Sequence, residues 1–167
     1  HVISIKRANA DARPAIHELA DKIWPHTISH ILSPNQLEYM LDLIYSLTSL
    51  HHQLINVKHN FFIALENNIP VGFASFSQKE VNNATYRLHK IYISPQQQGT
   101  GTGKLLLAEV INSIKSSGGN SIELNVNRHN MARHFYEKLG FKIIGEEDID
   151  IGKGFFMNDF VMRLSLI

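Results

Sequence analysis

Residues Arg87 to Lys104 read Arg-Leu-His-Lys-Ile-Tyr-Ile-Ser-Pro-Gln-Gln-Gln-Gly-Thr-Gly-Thr-Gly-Lys, and no other stretch limits the fold as tightly. Leu88, Ile91, Tyr92 and Ile93 form a β-branched and aromatic run stopped by Ser94-Pro95, which predicts a strand. Gly99, Gly101 and Gly103 then predict a turn. Leu105 to Ile111, continued by Ile114, carries the apolar spacing of a helix. The order is strand, glycine turn, helix. Amides at a helix start have no intrahelical acceptor and carry partial positive charge. Glycines keep Cβ atoms away from a ligand approaching those donors. The expected product is a cradle for a phosphate or pyrophosphate.

Two nucleotide motifs are tested against this loop and fail. A P-loop needs glycine five positions before the Gly103-Lys104 pair and Ser or Thr after it, where the chain has Gln98 and Leu105. The dinucleotide fingerprint read from Gly99 needs glycine where Lys104 stands. What remains is Gln98-x-x-Gly101-x-Gly103.

Composition narrows the class. With 167 residues, the expectation is one domain over 1–167 with a core of its own. A net charge of +1 argues against a nucleic-acid surface, and there is no block of like charges. Cysteine is absent, so disulfides and thiolate chemistry are out. No apolar run approaches a bilayer span and no signal peptide is visible, so the cytoplasm is the default compartment and no membrane partner is expected.

The remaining elements follow in order. Val2 to Arg7 reads as a strand. Asp11 and Pro14 open a helix with the stripe Ile16, Leu19, Ala20 and Ile23, expected to stop at Trp24-Pro25. Ser33-Pro34 opens a second helix with Leu37, Met40, Leu41, Ile44 and Leu47 on one face. Leu50 to His59 is polar and reads as a loop or frayed helix end. Phe61–Glu66, Ile69–Ser77 and Thr85–Ile93 read as an antiparallel meander turning at Asn67-Asn68 and Asn82-Asn83. The helix after the glycine loop ends near Ser116 to Gly119. Ile122, Leu124 and Val126 alternate as a strand parallel to the one before the loop. A short helix ends at Gly140, a strand starts at Phe141, and Phe155 to Leu166 is a final strand. The acidic run Glu146-Glu147-Asp148-x-Asp150 reads as a solvated loop.

The short helix carries a second motif: Asn130-x-Ala132-x-x-Phe135-Tyr136-Glu137-Lys138-Leu139-Gly140-Phe141. Together with Gln98-x-x-Gly101-x-Gly103, one strand and one helix earlier, it resembles the GNAT superfamily of N-acetyltransferases. The likeness covers roughly Phe61 to Leu166 and is looser over the N-terminal helices. It implies an α/β fold with a mixed, mostly antiparallel central sheet, a parallel pair at the CoA cleft and helices on both faces. It implies acetyl-CoA as cosubstrate, no metal, and direct transfer to a primary amine of a small molecule or peptide. Within the family, the Ser33-Pro34 helix, Phe61-Phe62 and the late Asp159-x-x-Met162 strand are similar to small bacterial enzymes, including the polyamine-acetylating type.

The resemblance also implies roles. Gln98, Gly99, Thr100, Gly101, Thr102, Gly103 and Lys104 would wrap the CoA pyrophosphate. Ile91, Tyr92 and Ile93 lie on the strand whose backbone would bind the pantetheine arm, beside a bulge that frees an amide for the thioester carbonyl. Asn130 would contact the pantetheine or adenosine side, and Tyr136 would protonate the departing thiolate. A neutral phenol suits that task, since a tyrosine titrates near 10 and a thiol near 8.5. His89 is the first candidate for a base, on the face of Ile91 if no bulge intervenes, and Glu123 the second. Trp24, His26, Tyr39 and Tyr45 are candidates for the acceptor wall, and Asp159 for attracting a cationic amine. The ten histidines form no metal-ligand pattern. The last strand is a candidate for pairing in a homodimer. The rival class is a CoA-binding sensor or assembly module without catalysis.

Overall fold

The structure is a computed structural model that describes residues 2–167. Seven strands form one sheet in the order β1-β2-β3-β4-β5-β7-β6: β1 (Ile3–Ala8), β2 (Asn60–Glu66), β3 (Ile69–Gln78), β4 (Thr85–Ile93), β5 (Ser121–Asn127), β6 (Lys142–Gly152) and β7 (Phe155–Ser165). Every neighbouring pair is antiparallel except β4 and β5. The expected mixed sheet is present, with its parallel pair next to the glycine loop.

Five α-helices cover the two faces: α1 (Arg13–Ile28), α2 (Pro34–Tyr45), α3 (Leu47–His51), α4 (Thr102–Ser116) and α5 (Ala132–Lys138). One core lies under α4 and α5, where Leu106, Val110 and Ile114 are fully enclosed against Leu88, Ile122, Leu124 and Met162. The other lies under α1–α3, where Ile16, Ile23, Trp24 and Leu50 meet Phe61 and Phe73.

Turn chemistry set most boundaries. Asn67 and Asn68 both adopt positive φ (50° and 67°) in a two-residue hairpin. Ser33 Oγ accepts from the Gln36 amide at 3.1 Å and Pro34 takes the first helical position, so α2 starts where expected. Four expectations need correction. α1 runs through Pro25 to Ile28. Trp24 and Ile28 are buried there, and each contributes roughly 1.5–3 kcal/mol on burial, which together offset the roughly 3 kcal/mol that an interior proline costs. The polar stretch from Leu50 is helical: Ser46 caps α3, Leu50 anchors it with no exposed surface, and a π-turn covers His52–Asn56. The acidic run is strand β6, exposed along most of its length on the sheet edge. β7 is paired on both sides, so the open edges of the sheet are β1 and β6, and the last strand is not free to pair with another subunit.

Candidate active site

The glycine loop is tied from inside by a residue that sequence reading passed over. After β4 a single 3-10 turn, Pro95–Gln97, buries Gln97 to 6% exposure. Its Oε1 accepts from Thr102 Oγ1 at 3.0 Å and from Thr100 Oγ1 at 3.3 Å, and the two hydroxyls are 2.9 Å apart. Thr100 and Thr102 therefore turn their side chains inward and shape the loop. The backbone faces outward. Gly99 and Gly101 sit at φ 80° and 86°, and a Cβ at either would meet nothing within 4 Å. Their requirement for glycine is conformational, not steric. The first helix amide with an acceptor behind it is Leu105, on Gly101 O at 3.0 Å, so the amides of 102–104 stand free as donors. Gln98, Gly99, Gly101, Gly103 and Lys104 all line one large cavity.

That cavity, about 1100 Å³, opens because β4 and β5 part company. They pair only from Thr85–Ser121 to Leu88–Leu124. Beyond that point β4 continues to Ile93 paired to β3 alone, with its other edge on the cavity. The parting coincides with a bulge. Ser75 faces Lys90 and Phe76 faces Leu88, so His89 has no partner on β3. The extra residue reverses the alternation of the strand. Leu88 and Ile91 both join the α4 core, whereas Lys90 and Tyr92 turn toward the α1–α3 side, over Tyr45 and against Trp24 and Phe73.

Tyr136 stands on α5 at the same cavity, 8% exposed, wedged edge-on against Phe141 with ring centroids 5.6 Å apart. Burial, then the neighbouring Tyr92, pushes its hydroxyl well above the usual tyrosine range, so it is a neutral phenol. Its hydroxyl has no hydrogen-bond partner among the described residues, while its neighbour Phe135 is more than one-third exposed. Asn130 also borders the cavity, with Oδ1 committed to the amide of Ala132 at 2.9 Å.

The same cavity is also lined by ionisable groups. Asp159, on β7, is 2% exposed and lines the cavity. Asn125 Nδ2 donates to its Oδ2 at 3.2 Å. Burial raises its proton affinity, and Asn125 and Arg87 only partly counter that, so the carboxyl titrates above its ordinary range. His89 fits the base role poorly. The bulge turns it away from the Ile91 face, its Nε2 is 2.7 Å from Ser77 Oγ, and its ring stacks on His59. Burial, with His59, Lys90 and Arg87 nearby, pushes it down to about 3. Such an imidazole stays neutral at pH 7 and takes up a proton only weakly. Glu123 is not free for chemistry either. It is 1% exposed, bound by Lys79 at 2.8 Å and by the Arg163 guanidinium; burial would raise it, but these partners hold it below the ordinary range. Trp24, His26 and Tyr45 line the cavity, whereas Tyr39 donates to Ile151 O at 2.6 Å outside it. Among the described residues no three His, Cys, Asp or Glu converge as metal ligands.

Residues 29–160 match the acetyltransferase (GNAT) domain family. The chain belongs to the GNAT family. A [ribosomal protein bS18]-alanine N-acetyltransferase of Haemophilus influenzae is 40% identical over 92 residues, 55% of this chain and 58% of that one. A spermidine N(1)-acetyltransferase of Thermoplasma acidophilum is 28% identical over 160 residues, 93% and 95% of the two chains. Among solved structures, the PaiA N-acetyltransferase of Thermoplasma acidophilum in complex with coenzyme A superposes with a TM-score of 0.81 at 25% identity, over 99% of both chains. This GNAT chain thus stands among N-acetyltransferases.

The residues of this GNAT domain fit a CoA thioester. The loop offers unpaired amides to a pyrophosphate, and the free edge of β4 offers peptide groups to an extended amide-bearing arm. The sequence concealed Gln97, Asn125 and Lys90. Gln97 sits in a run of three glutamines with nothing to distinguish it. Lys90 falls on the apolar side of a regular alternation, and only the bulge explains where it goes.

Proposed function

We propose that this chain transfers the acetyl group of acetyl-CoA directly to a primary amine of a small molecule or peptide, as one domain over residues 1–167 acting in the cytoplasm. The observation that carries this reading is the meeting of three features at one cavity: the glycine-loop amides, the parted edge of β4, and the Tyr136 hydroxyl.

Acetyl-CoA would supply the activated acetyl group as a thioester. The free amides of Thr102, Gly103 and Lys104, with Gly99 and Gly101 shaping the approach, would hold its pyrophosphate, with Gln98 and Lys104 at the rim. Thr100 and Thr102 would act through the loop shape they fix with Gln97. The backbone of Ile91, Tyr92 and Ile93 would align the pantetheine arm, and an amide near the bulge would donate to the thioester carbonyl as charge develops there. Asn130 would border the arm through its free amide nitrogen. Tyr136, neutral and unpartnered, would donate its proton to the departing sulfur. Asp159 is the better group than His89 to attract the ammonium form of the acceptor and accept its proton, because it is buried at the cavity and titrates above the usual carboxylate range. His89 also lines the cavity, but its pairing with Ser77 and its lowered proton affinity leave it a poor base.

The test is thiol release from acetyl-CoA against polyamines, amino acids, aminoglycosides and N-terminal peptides. Release with a subset of amines, lost in Tyr136→Phe, is the expected result. Tight CoA binding without release on any amine would move the reading to a non-catalytic CoA-binding module. Failure to bind CoA would overturn both.

A further inference from the structure

Lys90 is a buried cation that the acetyl-transfer reading does not use. It is 9% exposed, borders the large cavity, and makes no hydrogen bond or ion pair with any described residue. Its ammonium lies over two aromatic rings, 5.7 Å from the Phe61 centroid and 5.8 Å from that of Tyr45, which also lines the cavity. Ring faces compensate an ammonium far less than a carboxylate does. The cost shows in its proton affinity, which burial lowers to about 8. A lysine is seldom kept this deep without a partner.

The groups around it are equally underused. Thr27 Oγ1 and Gln53 Oε1 belong to cavity-lining residues and are buried without a hydrogen-bond partner among the described residues, while the Trp24 indole N–H has the Tyr45 hydroxyl oxygen beside it as an acceptor. Gln53 cannot be flipped to serve otherwise, because its Nε2 already donates to Ile44 O at 2.7 Å and Ser49 Oγ at 3.1 Å. With Lys90 the donors left over at this cavity are an ammonium and the hydroxyls of Thr27 and Tyr45. Buried polar groups in folded proteins are normally satisfied, so a cluster of unsatisfied ones at a cavity marks a place for a polar ligand. Asp159 lines the same cavity, which thus holds one buried ammonium and one buried carboxyl.

We infer that the acceptor is an amino-carboxylate, with its ammonium directed to Asp159 and its carboxylate to Lys90. This rests on the acetyltransferase reading and specifies its substrate. A polyamine would set its second cation against Lys90 and Arg87. A peptide N-terminus would bring a neutral amide where the carboxylate is wanted, leaving the lysine still unpaired.

The experiment is calorimetric binding to the CoA-loaded protein of matched sets: leucine, leucinamide and isoamylamine, with the corresponding alanine and phenylalanine sets. The expected result is that at least one free amino acid binds about 10- to 100-fold more tightly than its amide and its decarboxylated amine, the range of a charge-assisted hydrogen bond. In Lys90→Met, which keeps the apolar stem, the three members of that set should bind within about threefold of one another, and Lys90→Arg should restore part of the preference. Thermal melting of each variant establishes that it is folded. Equal binding within every set, no binding by any free amino acid, or an equal loss for all three members in Lys90→Met would overturn the inference. So would a Lys90→Met effect confined to CoA affinity. Thiol release is measured in parallel. Release without a carboxylate preference removes the Lys90 site and leaves the enzyme, whereas a Lys90-dependent preference without release on any amine leaves the site and removes the enzyme.

Discussion

The imidazole of His89 lies flat on that of His59, with ring centroids 4.0 Å apart and planes 7° from parallel. Burial leads the causes that push both below the ordinary histidine value of 6.5, His89 to about 3 and His59 to about 4, and Lys90 adds to both. A lowered pKa in the folded state means that protonation favours unfolding. The stabilisation by neutral rings is complete above about pH 6.5 and is lost as pH falls toward 4 and 3. Melting temperature should therefore decline from pH 7 to pH 5, before the carboxylates titrate, with a slope of at most about 1.4 kcal/mol per pH unit for each ring. His59→Asn combined with His89→Asn should flatten that slope. An unchanged slope in the double variant would show that other histidines set it.

Replacing Tyr136 by Phe removes only the hydroxyl. The ring packs against Phe135 and Phe141, and the oxygen makes no hydrogen bond among the described residues, so stability should change by less than about 0.5 kcal/mol. If the oxygen donates a proton to the leaving sulfur, kcat should fall about 10²- to 10⁴-fold while KM for acetyl-CoA stays within about threefold. Steady-state kinetics beside a thermal melt decides it. A structural tyrosine would give the reverse, a lowered melting temperature with little change in turnover.

The fold was legible where local chemistry decides it: the Asn67-Asn68 turn, the Ser33 cap, the limits of β4, and the glycine loop between strand and helix. It was not legible where tertiary packing overrides local preference. Pro25 reads as a stop, yet Trp24 and Ile28 are buried and hold α1 together through it. The acidic stretch in β6 has the composition of a loop, and becomes a strand because β7 supplies a long partner through the turn at Gly152 to Gly154. The site divides along the same line. Motif residues on the loop and on α5 were found, and the side chains whose direction depends on the bulge were not. A single unpaired residue at 89 reversed the faces of Lys90 and Tyr92, and period-two reasoning cannot see a bulge.

Gly101 is the more telling of the two left-handed glycines in the loop because it precedes α4 directly. At φ 86° an alanine costs about 1–2 kcal/mol in backbone strain, and the open space around the position offers no steric reason for further disturbance. The loop should relieve that strain by turning its amides away from the cavity. Gly101→Ala should therefore raise KM for acetyl-CoA by about tenfold or more, with a smaller effect on KM for the amine. A comparable rise for both substrates would mean that the whole cleft, and not the loop alone, had moved.

Glu123 provides the control for the assignment of the base. Its carboxylate is enclosed between Lys79 and Arg163, partners that are themselves about half exposed. Glu123→Gln leaves two cations without their shared counter-charge, but solvent reaches both, so the loss should be about 1–3 kcal/mol and not the 3–5 kcal/mol of a fully buried pair. The carboxyl is held below its ordinary range, so its own contribution to stability is present above about pH 4.5 and is lost as pH falls below that. Chemical denaturation at pH 7 and at pH 4 should show the wild-type advantage shrinking at the lower pH. The pH profile of kcat/KM should keep its shape in Glu123→Gln, because the group neither lines the cavity nor carries an exchangeable proton at neutral pH. In Asp159→Asn the acidic limb of that profile should disappear along with most of the turnover. If Glu123→Gln instead removed the limb, the proton would be leaving the amine by way of β5, and Asp159 would be only an electrostatic anchor.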